Sequence, residues 1–365
     1  MIMQQNKARP SRFPTFIQQT LYWARENLFS SLWNTTLTLL TIYFFYLVFP
    51  PLLDWGIFNA DFDGSSAKDC QTGGACWAWL DQRIHQFLYG FYPPTQYWRV
   101  NLSIILMIPA IAYVLFDGLP CKRIGRWFSV LYPVIAAFLL LGGLGLEGVT
   151  TDKFGGFMLN LVAGLSGIFL SLPIGVLLAL GRRSKLPLVR WVCIVFIEIF
   201  RGVPLITLLF VAVIILQLFL PPEVTMDKLF RVMIMITLFA SAYMAEVIRG
   251  GLQAIPQGQY EAAEAMGLKY WQSMRMVILP QALKIAIPGI VNTFIGLFKD
   301  TTLVIIIGLF DILGQARLLQ SNPDWMGVVA HETFLLVALL FFIICFAMSR
   351  YSIGLEKRLN TDNET

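Results

Sequence analysis

EAAEAMGLKYWQSMRMVILP, residues 261–280, is a polar insert between two strongly apolar runs, and its reading decides how the rest of the chain is folded. It is too charged for a bilayer core and too regularly patterned for a slack connection. Pro256 and Gly258 turn the chain, so that a fresh helix is expected from Gln259 to Met266. Glu261, Ala262, Ala263 and Glu264 are good helix formers that put acid in the first turn, with Glu261 helping to cap it. Gly267 can take the left-handed backbone that ends such a helix. Beyond it, Leu268, Trp271, Met274, Val277 and Ile278 keep helical spacing, and Pro280 is expected to stop the run. The spacing predicts a short helix, a glycine corner and a second amphipathic helix on a membrane face.

The surrounding chain supplies the membrane. Of 365 residues, 57% are hydrophobic and only 13% charged, far from the soluble average. Eight mostly apolar runs are long enough to cross about 30 Å of hydrocarbon: residues 32–49, 100–116, 127–146, 157–180, 191–220, 228–248, 285–309 and 332–349. No small-residue cleavage site follows the first run, so it reads as a span rather than a removable signal. The N-terminal segment, the loops 117–126, 181–190 and 249–284 and the C-terminal tail hold 18 of the 27 basic residues. Basic residues stay inside, so both termini and the Glu261 loop are expected on the cytoplasmic side. The net charge of +5 then reflects topology and gives no ground for a nucleic-acid partner. The expected organisation is a cytoplasmic segment 1–31, a three-span extension 32–150 with a long outer loop 50–99, and a five-span core 151–365 carrying the polar loop 250–283.

Within the outer loop, Cys70 and Cys76 are the one close cysteine pair. They face an oxidising compartment in this topology, which leaves open either a disulfide or two free thiols. His85 and His331 are isolated, so no metal cluster is legible. Gly143, Gly145 and Gly148 match G-x-G-x-x-G. No strand–helix unit surrounds them, so they read as a flexible connection and not as a dinucleotide site.

The Glu-Ala-Ala, Gly and Leu-Pro spacing, at Glu261, Ala262, Ala263, Gly267, Val277, Leu279 and Pro280, resembles the cytoplasmic loop of ABC-importer permease subunits, with Val277 where Ile is usual. The phrases FIEIFRGVPL (196–205), AYMAEVIRGGLQAIPQGQYEAAEAMG (242–267), ILPQALKIAIPGIVN (278–292) and LFKDTTL (297–303) resemble the permease core of polar amino-acid importers. The three extra spans look like the larger subunit of general L-amino-acid importers. The resemblance implies an all-α, polytopic membrane protein with a type I importer core, in which the Glu261 loop is a coupling helix docked on an ATPase. It implies a second homologous permease subunit, two cytoplasmic ATPases, a periplasmic binding protein, an L-amino-acid substrate and a lipid bilayer, that of the bacterial inner membrane. The chain has no G-x-x-x-x-G-K-[ST] loop. It is therefore expected to be no enzyme itself and to bind no cofactor, with ATP and magnesium on the partner ATPase.

Ionisable groups inside spans are costly and mark function by default. Glu198 and Arg201, three apart, can pair on one helix face, and Gly202 with Pro204 should kink the span. The group reads either as a gating hinge or as an anchor. Glu246 and Arg249 sit where a span meets the cytoplasm, either fixing the approach to the coupling loop or anchoring the helix. Asn292 and Lys299 are seven apart on nearly one face, with Asp300 beside them close to mid-membrane. They offer complementary groups to the carboxylate and ammonium of an amino acid, or else pair with neighbouring helices. An ion-coupled secondary transporter or a non-transporting scaffold are the alternatives. The first would show inverted repeats, which are not found, and the second leaves the insert's spacing unexplained.

Overall fold

The computed structural model describes residues 16–361 apart from 117, 144, 220 and 222. The expected basic lead-in up to residue 15 and the last four residues lie outside the described residues. The described chain falls into two compact units, the first made of residues up to 64 together with 68–77, the second of 65–67 and everything from 78 onward.

The first unit contains α1 (Phe16–Asn27) and α2 (Leu32–Leu53). Ser31 starts α2 by accepting the Asn34 amide at 3.2 Å, which satisfies one of the orphan donors of a helix start. No residue of α2 is buried, as expected of a span whose whole circumference is apolar. The helix does not end at Pro50 and Pro51. It runs through them to Leu53 and continues as a π-turn, Asp54–Phe58. Cys70 and Cys76 are joined in a disulfide. The loop it closes is stitched by Thr72, whose hydroxyl donates to Asp61 at 2.8 Å and to the Asn59 carbonyl, while Trp77 Nε1 donates to the Gly56 carbonyl at 2.8 Å.

The second unit begins with α3 (Ala78–Tyr89), so the expected outer loop is partly helical. There follow α4 (Tyr97–Leu115), α5 (Lys122–Leu141), α6 (Gly156–Arg182), α7 (Pro187–Gly202), α8 (Leu205–Phe210), α9 (Leu216–Leu218), α10 (Lys228–Ala254), α11 (Gln257–Ala265), α12 (Tyr270–Ser273), α13 (Leu279–Asp300), α14 (Ile312–Gln320) and α15 (Ala330–Thr361). Across both units, seven helices are long and apolar enough to cross a bilayer, and α7 with α8 and α9 makes an eighth, bent by 105°. The chain is an all-α polytopic membrane protein.

Helices α6, α10 and α13 form the packed centre. In a bilayer apolar burial drives helix association weakly, and small residues that let backbones approach take over. A Cβ at Gly175 would lie 2.7 Å from Met244, one at Gly164 2.9 Å from the Phe298 ring, and one at Gly251 2.4 Å from the Ala282 carbonyl oxygen. One buried cluster gathers Leu159, Ala163, Val232, Ile236, Leu297 and Val304, and a second gathers Ala179, Met244, Ile248, Ile278, Ala282 and Ala286.

Two proline expectations need correction. Pro204 does more than kink its span. Val203 is extended, as a residue before proline prefers, and the helix stops at Gly202 and restarts at Leu205. Pro280 does not stop its helix at all. A π-turn, Met274–Ile278, lets the Leu279 amide reach back to the Met274 carbonyl. Pro280 then stands at the start of the next α-helical stretch, where a missing amide costs nothing. Tyr270–Ile307 is consequently one continuous helix of 38 residues.

The glycine-rich stretch after α5 wraps an arginine. Arg99, fully buried, donates from Nε to the Leu139 carbonyl at 2.5 Å and from a guanidinium nitrogen to the Glu147 carbonyl at 2.8 Å. Gly142, at φ +87°, is the position this cradle demands, because a Cβ there would lie 2.9 Å from the guanidinium.

At the end of α6 far from Arg182 lies a buried polar lock. Asn160 donates to Thr301 Oγ1 at 2.9 Å and to Asp311 at 3.0 Å, and accepts the Ile312 amide at 3.1 Å. Asp311 also caps α14 through the Gly314 amide at 2.9 Å. Burial pushes the Asp311 carboxyl up to about 6, against hydrogen bonds from Asn160 and Gly314 that favour the anion. A carboxyl raised in the folded state holds its proton longer there than in the unfolded chain. Its contribution to stability is therefore greatest below the unfolded value near 3.8 and is lost as pH rises to about 6. The loss amounts to at most about 3 kcal/mol. Thermal unfolding in detergent should give a midpoint that falls between pH 4.5 and 6.5 in the native chain and a flatter profile in Asp311→Asn. Identical slopes would remove this account.

Candidate functional site

The polar insert forms a rigid corner. Ile255 is extended, Pro256 starts α11 without a side-chain cap, and Gly267 closes it at φ +74°. The Gly267 amide bonds the Glu264 carbonyl at 2.9 Å and the Leu268 amide bonds Ala263 at 3.1 Å, the paired reverse bonds of a glycine-terminated helix. Because α11 begins at Gln257, Glu261 lies past the first turn, which holds no acid. Its expected capping role is corrected accordingly. After the corner, the Gln272 side chain accepts the Lys269 amide at 2.9 Å to start α12.

The corner presents one face outward and fixes the other. Glu261, Ala262, Glu264 and Gly267 are exposed, whereas Ala263 is only 4% exposed. Val277 and Leu279 are half-buried, and Pro280 is exposed. Met266 is 81% exposed and Trp271 and Met276 are each 66% exposed, so bulky apolar side chains stand uncovered around the corner. Behind it, Tyr260 accepts a hydrogen bond from Arg183 at 3.0 Å and donates to the Leu252 carbonyl at 3.2 Å. Gln281 donates to Gln259 at 3.1 Å.

Next to the corner an ion-pair hub ties three spans. Glu246 accepts from Arg182 at 2.7 Å and from two nitrogens of Arg249 at 2.9 and 2.8 Å, and Arg201 approaches to 3.6 Å. Arg182 also donates to Glu198 at 3.0 Å. The expected Glu198–Arg201 pair on one helix face is therefore replaced by contacts across helices: Glu198 goes to α6 and Arg201 to α10. One carboxylate serving three guanidiniums satisfies its oxygens more fully than an i,i+3 pair can. Arg201 further lies 5.7 Å over the Tyr243 ring, one residue before Gly202 and the bend that passes through Pro204.

Of the mid-span residues, Asn292 and Lys299 are exposed on one face and Asp300 is half-buried. Among the described residues no hydrogen bond or ion pair of the Lys299 ammonium is seen. Residues that sequence reasoning passed over are Arg182, Arg183, Tyr260, Asn160 and Asp311. The available signal was Glu246, a carboxylate at the end of a span in need of more than Arg249.

Residues 171–360 match the family model described as binding-protein-dependent transport system inner membrane component. The chain is 48% identical, over 94% of its length and 94% of the relative's, to the inner membrane amino-acid ABC transporter permease protein YhdY of Escherichia coli K12. It is 44% identical, over 93% of its length and 94% of the relative's, to the glutamate/glutamine/aspartate/asparagine transport system permease protein BztC of Rhodobacter capsulatus. A solved structure described as an amino acid ABC transporter with histidines is 29% identical, covering 56% of this chain and 92% of its own, with a TM-score of 0.49.

Proposed function

The chain belongs to the inner-membrane component family of binding-protein-dependent transport systems, and from that premise we propose that its α11 corner is the surface gripped by a separate ATPase. It is a multi-pass inner-membrane permease subunit of an amino-acid ABC importer. In this reading two cytoplasmic ATPases bind ATP and magnesium and draw two corners together, one on this chain and one on a second, homologous permease. The movement turns the cavity outward to receive an L-amino acid from a periplasmic binding protein, and hydrolysis resets it. The chain carries out no hydrolysis itself. Both termini lie in the cytoplasm.

The observation that carries this reading is the corner itself. Its backbone is locked by Gly267, its inner face is bonded to the membrane body through Tyr260 and Gln259, and Met266 on it and Trp271 and Met276 just after it stand bare. Uncovered apolar groups rimmed by Glu261 and Glu264 suit a protein groove. The substrate path in this reading runs past Asn292, Lys299 and Asp300, because an ammonium within a span is stable only toward water or a polar partner. Glu198, Arg201, Gly202 and Pro204, with Glu246 and Arg249, form the gate.

Ala263 is too buried for a cross-linking probe, so the test uses its exposed neighbour. Ala262→Cys, treated with a short bifunctional reagent in membranes that contain the native partners, should give a conjugate with a nucleotide-binding polypeptide. Conjugates with lipid or with this chain alone would overturn the docking assignment.

A further inference from the structure

Arg182 and Arg183 are consecutive and grip two different objects. Arg182 ends α6 and donates to Glu246 on α10 and Glu198 on α7. Arg183 is the next residue, and its guanidinium donates to the Leu252 carbonyl at 3.2 Å and to the Tyr260 hydroxyl at 3.0 Å while lying 5.6 Å over the Tyr260 ring. Tyr260 is the aromatic residue of α11, and its hydroxyl also donates to Leu252. The C-terminal end of a helix favours cations, so α6 stabilises both charges where they stand.

These contacts follow one another as two hydrogen bonds, at 3.0 Å from Arg183 to Tyr260 and 2.7 Å from Arg182 to Glu246, and a looser ion pair of 3.6 Å between Glu246 and Arg201. The route runs from α11 through Tyr260 to Arg183, across one peptide unit to Arg182, then to Glu246, and on to Arg201, which directly precedes the break at Gly202 and Pro204. The two arginines share one peptide unit, so a shift of α11 that draws the Arg183 backbone with it also moves Arg182 or strains its two carboxylate bonds. Charge-assisted bonds of this length are about twice as strong as neutral ones, which makes following cheaper than breaking.

We propose that Arg182 and Arg183 are positioning residues that carry a displacement of α11 to the bend between α7 and α8. The inference rests on the docking of an ATPase at α11 and adds the route by which that movement enters the membrane. Neither residue touches nucleotide or cargo in this role.

The test uses the full complex with its ATPase and binding protein in lipid vesicles. Two spin labels straddle the bend, at Leu188 on α7 and Leu218 on α9, both widely exposed. The readouts are the label separation with and without vanadate-trapped ATP, and uptake of a radiolabelled L-amino-acid mixture per ATP hydrolysed. With native arginines the separation should change on trapping. Arg183→Gln and Arg182→Gln should each abolish that change and lower uptake per ATP about tenfold, a typical coupling free energy, with partial recovery in Arg183→Lys. Tyr260→Phe, which removes one hydroxyl and carries little folding risk, should lower the ratio in the same direction. Should the glutamine variants fail to assemble, Tyr260→Phe decides, and full coupling in it overturns the proposal. A native complex that responds to ATP, with Arg183→Gln responding equally, overturns the link and leaves the docking reading standing. A native complex without any ATP response removes both.

Discussion

Gly267→Asp should insert at the native level and lose ATP-driven uptake by about a hundredfold or more. Two effects separate cleanly at this residue. Its φ of +74° is a conformation that costs most L-residues about 1–2 kcal/mol, with Asp and Asn the best tolerated. Nothing lies within 4 Å of the Cβ position, so the chain can fold around the substitution. The damage comes from a carboxylate placed in the middle of the exposed corner, where docking would strip its water without supplying a partner. An uncompensated buried charge costs several kcal/mol, and about 3 kcal/mol corresponds to the expected loss. Gly267→Asn carries the same shape without the charge and should keep most uptake. If Asn is as harmful as Asp, the charge argument is wrong. If the Asp variant transports normally, the corner is not the docking surface.

The second large effect concerns assembly. Gly250 and Gly251 are neighbours on α10, yet a Cβ at Gly251 would lie 2.4 Å from the Ala282 carbonyl oxygen, while one at Gly250 meets nothing within 4 Å. Backbone cannot swing aside as a side chain can, so Gly251→Val must part α10 from α13 and open the cluster around Met244, Ile248, Ala282 and Ala286. Overpacking costs typically 1–3 kcal/mol where side chains can adjust, and more is expected against fixed backbone. The variant should be recovered in detergent at a small fraction of the native yield. Gly250→Ala should be neutral, or more stable by up to about 1 kcal/mol from helix propensity. Equal behaviour of the two variants would contradict the close approach of α10 and α13.

The spans were legible because apolar runs of the required length have few other fates, and the corner was legible because Gly267 follows four helix formers at the spacing a left-handed stop requires. What sequence alone could not show depends on partners distant in the chain. Glu198 has an available cation three residues away, but Arg182 on another helix wins it. Arg183 and Tyr260 are 77 residues apart, and neither carries a mark that would link them. Gly142 makes sense only with Arg99 beside it, some forty residues earlier. Pro280 misleads for a different reason. Helical periodicity assumes i→i−4 bonding, and one wider turn at Met274–Ile278 suspends that assumption.

That wider turn has a mechanical consequence. Because it spares the helix a break at Pro280, the segment from Tyr270 past Lys299 runs as a single helix, with Pro288 inside it, and would tilt as one body. The tight contact of Gly251 with Ala282 offers a fulcrum about 18 Å along it from Tyr270, with Lys299 about 26 Å beyond, at 1.5 Å of rise per residue. A sideways push of about 2 Å at the Tyr270 end would then swing the ammonium by about 3 Å the opposite way, by the ratio of those arms. A helix broken at Pro280 would lose such a push there, whereas this one would return it enlarged.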